Sequence, residues 1–301
     1  MPSEAVSALV KFCPADTGLK ILNSQSLHWS APHLFGDPFE LQHGSDPHLT
    51  APALLDTLLR EAMIILFGPN APTGRHNRLV NTLARWREEN RFCDEEEAGS
   101  VLKDLLGQIA ELHARKIDEY LARWRLFARQ VRIASFCDRP GNLHGWNNYA
   151  DCHRGMALRF ECGPDTGLPE PRPVQYQPQA PVLTTLAAEI GVIFGRRNAP
   201  AEGEFTDKLL IKGRHQQGEE EWRCFFTDSG DMDKDDSLWF TPRKFPAHEL
   251  RAVYLGASMP RSEREQVAQL LRASYPTAKL FQSVALPGRY ELEFEPIARR
   301  T

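Results

Sequence analysis

No stretch of this sequence is long and apolar enough to cross a bilayer: the longest apolar run, "AMIILF" (62–67), is far shorter than the roughly 20 residues that a spanning helix requires. Nor does the chain open on a basic start, an apolar stretch and a small-residue cleavage site, so the cytoplasm is the expected compartment. Positive charge is not in surplus either. The 36 Lys and Arg stand against 40 Asp and Glu, giving a formal charge of −4 and a pI near 6.2. Gripping nucleic acid by counterion release would therefore take a local basic patch, and the clearest basic run, "RKFPAHELR" (243–251), is short. The six cysteines form no CxxC and no Cys/His pairing at zinc spacing, so reduced, buried thiols are expected and no metal ligand is assigned. His144 and His153 lie nine apart and share no helical face.

What is present is a chain of 301 residues, 42% hydrophobic and 25% charged, enough to bury a substantial core. "ALVKF" (8–12) and "SLHWS" (26–30) read as strands around a short helix ending near Asn23. Thr50 as a cap, Pro52 in the first turn and Leu54, Leu55, Leu58 and Leu59 at helical spacing predict a helix that stops at Gly68-Pro69. A second helix is expected over 74–89. A long third one is expected over 95–129, with Asp94 and Glu97 as a capping box. Beyond it come expected strands at 130–137, 156–161, 174–176, 219–226 and 250–257. Helices are expected at 182–194 and 260–274, an exposed acidic loop at 230–237, and a closing hairpin around Pro287-Gly288. These elements define an α+β fold. A central mixed, mostly antiparallel sheet carries flanking helices, in a single domain over 1–301 with a helical insertion at about 50–129.

Three separated segments carry candidate chemistry. The first, "LHWSAPHLFGDPFELQ" (27–42), sets Ser30, Asp37 and Glu40 around Pro32 and Pro38. Each proline holds the residue before it extended, so the Asp37 carboxylate is free to cap an amide or face a cleft; as structure alone this is a rigid turn in which Asp37 caps and Phe39 anchors in the core, and the alternative is a direct role in a site. The second, "SFCDRPGNLHGWNNYADCHRG" (135–155), offers Ser135 at a strand end and Trp146 and Tyr149 three apart, a strip that could stack a flat ring or simply anchor a short helix. In the third, "KLLIKGRHQQGEEEWRCFF" (208–226), strand alternation points Glu219, Glu221 and Arg223 to one face, with Lys212 upstream. Such a row is costly to bury unless its charges pair, and a solvated edge strand is the structural alternative.

The order "LVKF", "ILNSQSLHWSAPHLFGDPFE", "WNNYADCHRGMALRFE", "VQY", "KGRHQQGEEEWR", "LRAVYLGASMP" and "VALPGRYELEFEP" resembles the bacterial domain-of-unknown-function family 2971. The resemblance covers 8–296 apart from the helical insertion. Gly36 stands where that family usually has Asn, and Gln216 where it usually has Trp. The layout also looks like that of ADP-ribosyltransferases, which hold NAD in a split sheet and use a late Glu as nicotinamide leaves. That likeness implies NAD as substrate, Glu221 as the key acid, Tyr149 against the nicotinamide, and Lys11 where such enzymes often have His or Arg.

Two function classes follow: an NAD-consuming, ADP-ribosyltransferase-like enzyme with a nucleotide ligand, and a noncatalytic binding or sensing module in conflict between bacteria and phage. In the first, Glu221 is catalytic, and Lys11, Ser30, Asp37, Glu40, Ser135, Trp146, Tyr149, Lys212, Glu219 and Arg223 bind. A metal-dependent hydrolase using Asp37, Glu40, Glu219 and Glu221 ranks last, since no His-rich motif supports it and the alternating acids of "DMDKDD" (231–236) lack the Gly and the terminal Glu of a calcium loop.

Overall fold

The structure, a computed structural model, describes residues 6–40, 44–69, 77–201, 203, 205–228 and 239–298. In chain order its elements are β1 (Ala8–Cys13), α1 (Ala15–Ser24), β2 (Ser26–Ser30), α2 (Ala51–Phe67), α3 (Arg78–Glu88), α4 (Glu95–Gln130), β3 (Val131–Cys137), α5 (Leu143–Asn148) and β4 (Met156–Glu161). There follow β5 (Arg172–Pro173), β6 (Gln175–Gln177), α6 (Leu186–Ile193), α7 (Phe205–Lys208), β7 (Ile211–Gly213), β8 (Glu221–Thr227), β9 (Phe240–Lys244), β10 (Leu250–Leu255), α8 (Arg261–Ser274), β11 (Lys279–Ala285) and β12 (Leu292–Pro296). The acidic loop expected at 230–237 lies outside the described residues.

The chain forms two compact units: Met1–Glu40, Ala128–Ala180 and Leu210–Thr301 make the first, and Leu41–Phe127 and Pro181–Leu209 the second. The first is α+β. Its large sheet runs β12-β11-β10-β4-β1-β3-β2-β9, with β8 on β3 and β5 on β8. Pairing is antiparallel except between β10 and β11, which α8 connects. β11 and β12 close the expected hairpin, turning at Gly288 with φ +73°. Alternation along β1 and β4 buries Leu9, Leu158 and Phe160, which pack with Trp29, Leu255, Leu271 and Tyr275.

The backbone approaches itself closely where β10 ends. Gly256 donates its N–H to the Gly155 carbonyl (2.9 Å), and a Cβ at Gly256 would lie 2.1 Å from the His153 carbonyl oxygen and 2.7 Å from that of Gly155. Both obstacles are backbone, so a side chain there must push the two backbone segments apart. Gly256→Ala is expected to lose about 1–3 kcal/mol of stability by overpacking, read as a lowered denaturation midpoint in urea; an unchanged midpoint would contradict the close approach.

The second unit is helical at its core. Leu54, Leu58, Ala62 and Ile65 of α2 pack on Val80 and Leu83 of α3, Leu102 and Leu106 of α4, and Ile190 of α6. Local signals start these helices: Thr50, Asn77 and Thr185 each accept an amide from the third residue on. At α4, Asp94 accepts from the Glu97 amide (2.8 Å) while Glu97 accepts from the Cys93 amide (3.0 Å). No described helix is long and apolar enough to cross a membrane. All six cysteines are free thiols, and four are buried; Cys93 and Cys152, expected buried, are exposed.

Candidate functional site

The site grows out of a fork in the sheet of the first unit. β8 pairs along all of β3, from Val131 opposite Thr227 to Cys137 opposite Glu221. The other edge of β3 is shared: β1 meets it at Val10 and Cys137, β2 at Ser30 and Ile133. Ala134, Ser135 and Phe136 lie between those two points, where a cavity of about 660 Å³ opens. Lys11 of β1 spans the gap, its ammonium donating to the Ser135 carbonyl (3.2 Å) above the Phe136 ring (5.3 Å). Burial lowers the Lys11 pKa, only partly opposed by the charges of Cys13 and Glu221.

The cavity wall gathers Lys11, Ser30, Asp37, Glu40, Ser135, Tyr149, Lys212, Glu219, Glu221 and Arg223. At its centre Arg223, fully buried, faces two carboxylates. It donates to Glu40 Oε1 and Oε2 (2.7 and 3.1 Å) and, through Nε and Nη2, to Glu221 Oε1 and Oε2 (2.8 and 3.1 Å). Lys212 Nζ lies 2.5 Å from Glu219, 3.1 Å from Glu221 and 3.9 Å from Glu40. The Tyr149 hydroxyl donates to Glu219 (2.6 Å), and the Tyr176 hydroxyl accepts the Glu221 amide (2.8 Å).

Charge pairing sets the protonation states. Burial would raise the Glu221 pKa, but Arg223 and Lys212, with a hydrogen bond from Ser135, bring it down to about 2. Burial likewise opposes the charge on Arg223 and Lys212, and the facing carboxylates more than restore it, raising both. Burial and the bond to Glu219 hold the Tyr149 hydroxyl protonated. Four carboxylates against three side-chain cations leave the wall at a formal −1 with His28 and His215 neutral. The positions where a hard cation would sit between Glu40, Glu219 and Glu221 are taken by Lys212 and Arg223, so these acids do not form an open metal site.

Several placements differ from the pattern in the sequence. β8 begins at Glu221, not at 219: Glu219 ends a 3-10 turn (Arg214–Glu219), and Glu220 takes a left-handed φ of +48° before the strand starts. The turn, not strand alternation, delivers Glu219 to the cavity. Glu220 points elsewhere, onto Arg139 (2.6 and 2.7 Å). Trp146 and Tyr149 do not share a face, because α5 ends at Asn148. Trp146 is fully buried, donates its indole N–H to the Pro140 carbonyl (2.7 Å), stacks on His153 and is not on the cavity wall. Phe39, which the purely structural reading of the turn put in the core, is 73% exposed and lines the cavity.

Residues that pattern reasoning did not select also line the cavity: Phe35, His28, His215 and Gln216. Gln216 donates to Asp37 Oδ2 (2.9 Å), whose Oδ1 accepts the Phe39 amide (2.9 Å). Only the crowding of polar residues just before "GEEEWR" hinted at that link. A second cavity, about 1140 Å³, lies among α3, α4 and α6 of the second unit and holds none of the candidate residues.

No family model, no curated protein and no solved structure matches the chain.

Proposed function

We propose that the first unit is an NAD-consuming, ADP-ribosyltransferase-like enzyme of the domain-of-unknown-function 2971 type, with the nicotinamide ribose at the fork between β1 and β2. The observation that carries this reading is the convergence of Lys11, Tyr149 and the Glu219/Glu221 pair, from three separate parts of the chain, on the gap along β3. A split in a sheet exposes strand-edge backbone groups and side chains from both diverging strands, which suits a long, polar ligand.

In the proposed reaction the bond between ribose C1′ and the pyridinium nitrogen breaks, and its electron pair neutralises the departing nicotinamide. Glu221, held ionised, stabilises the cationic sugar that develops and does not itself take a proton. An acceptor hydroxyl or water forms the new bond to C1′, and its proton passes to Glu219. That carboxylate contacts one cation, Lys212, where Glu221 contacts two. The formal −1 of the wall favours a ligand whose reacting part is cationic.

Purified protein is expected to release nicotinamide from NAD, measured chromatographically. Glu221→Gln should lower the rate about 10²–10³-fold, the magnitude typical of losing one preorganised electrostatic group. Absence of both NAD binding and nicotinamide release would end this reading.

One observation favours a second reading. Arg223 is fully buried with two carboxylates already engaged, as in an ion network that stiffens a sheet. On that reading the unit is a noncatalytic binding or sensing module in conflict between bacteria and phage, and Glu221→Gln leaves NAD turnover at zero in both proteins.

A further inference from the structure

We propose that the second unit binds a long-chain carboxylate in the cavity among α3, α4 and α6, with the ligand head at His113, Lys116 and Arg78 and its chain along the apolar face of α4. The cavity shares no residue with the fork, so the inference stands apart from the NAD reading. The two ends of the cavity differ. Val101, Leu105, Ile109 and Leu112 follow one face of α4 at helical spacing and line the cavity with Trp86 of α3. None is sealed in the core: Val101 is 40% and Leu112 56% exposed, and Leu105, Ile109 and Trp86 are half-buried. A helix rising about 1.5 Å per residue puts His113 roughly 18 Å beyond Val101, a distance that suits an extended acyl chain. The volume of about 1140 Å³ is ample for one.

Polar groups gather at the His113 end. Asn77, just before α3, donates to the Ile193 carbonyl (2.6 Å), and His113 Nε2 meets Glu189 one turn earlier on α6 (2.6 Å). Arg78 therefore sits at the same end as His113, with Lys116 one turn further along α4. Burial opposes the Glu189 charge, but hydrogen bonds from His113 and Thr184 overcome it and lower its pKa, so the carboxyl stays ionised. A carboxylate can only accept, which puts a proton on His113 Nε2 and leaves Nδ1 for a ligand. Nδ1 makes no hydrogen bond among the described residues and keeps accessible surface. A ligand carboxylate there favours the charged ring, whose Nδ1–H donates to it. Arg78 and Lys116 have no ion-pair partner among the described residues. With Glu189 engaged, the lining sets Arg78, Lys116 and Arg123 against Glu119, a cationic balance that selects an anionic head.

The test is calorimetric titration with dodecanoate and with dodecyltrimethylammonium, equal in chain and opposite in charge. The wild-type protein is expected to bind one dodecanoate per chain, at least about tenfold more tightly than the cation. Lys116→Glu reverses a charge at the head and should cut dodecanoate affinity about tenfold while strengthening the cation. Val101→Asp sets a charge beside the tail and should weaken dodecanoate by a similar factor. Both side chains are exposed, so neither change removes a core contact, and melting temperatures check that the variants are folded. Equal wild-type affinity for the two amphiphiles, or dodecanoate binding that neither variant weakens, would overturn the inference. So would a chain that is dimeric in solution and becomes monomeric on Val101→Asp, which would give this face to a second copy.

Discussion

Arg223→Ala is expected to lower the unfolding free energy by about 3–5 kcal/mol, the range found when one partner of a buried ion pair is removed. The guanidinium is fully buried and donates to both oxygens of Glu40 and of Glu221. Truncation leaves two buried carboxylates with only Lys212 between them, at 3.9 Å from Glu40 and 3.1 Å from Glu221. Lys212 already sits 2.5 Å from Glu219, so one ammonium would serve three acids. Arg223→Lys should recover little, because an ammonium cannot reproduce the planar, two-sided fork.

The control separates charge from volume. A triple variant carrying Arg223→Met, Glu40→Gln and Glu221→Gln removes all three charges while keeping bulk, and is expected to be more stable than Arg223→Ala alone. Urea unfolding followed by circular dichroism measures both proteins. An Arg223→Ala midpoint equal to wild type would mean that the three side chains are solvated in solution and that the buried network does not exist.

That network explains which parts of the molecule were readable from residues alone. The α+β class and the long helix α4 were legible because local signals agree with the tertiary outcome: the Asp94 and Glu97 capping pair forms, and the Leu102, Leu106 stripe is buried. The three polar segments were also visible, since buried charge beside apolar strands is rare enough to stand out. What alternation could not give was the route by which Glu219 arrives. Strand periodicity put it beside Glu221, but a 3-10 turn and the left-handed Glu220 intervene, and the left-handed position falls on a glutamate, not on Gly218 inside the turn. The partner of Arg223 was equally hidden. Glu40 lies 183 positions away, and only the topology of β2, β3 and β8 joins them. Trp146 and Tyr149 parted for a local reason: α5 ends one residue before Tyr149, sending one ring into the core and the other to the cavity.

Acid should dismantle the same network in a defined window. Glu221 has its folded pKa depressed from the ordinary 4.5 to about 2, chiefly because Arg223 and Lys212 outweigh the effect of burial. A depressed carboxylate contributes stability that is fully present above its unfolded pKa and is lost as the pH falls through the folded one. Between pH 4.5 and 2 the protein should therefore lose stability on the order of 3 kcal/mol through this group alone. Arg223 and Lys212, both raised, contribute in the opposite sense: their stabilisation is intact at acidic and neutral pH and fades only in strong alkali. Lys11, lowered by burial, adds no acid-side protection, because its charged form is the one that burial disfavours. Glu221→Gln removes the titrating group, so its stability should be lower at neutral pH and flatter through the acid window. Urea midpoints at several pH values, compared between the two proteins, isolate the contribution, since every other carboxylate titrates in both. Parallel curves would show that Glu221 gains nothing from its cations on folding, and the pairing that holds it ionised at the fork would have to be abandoned.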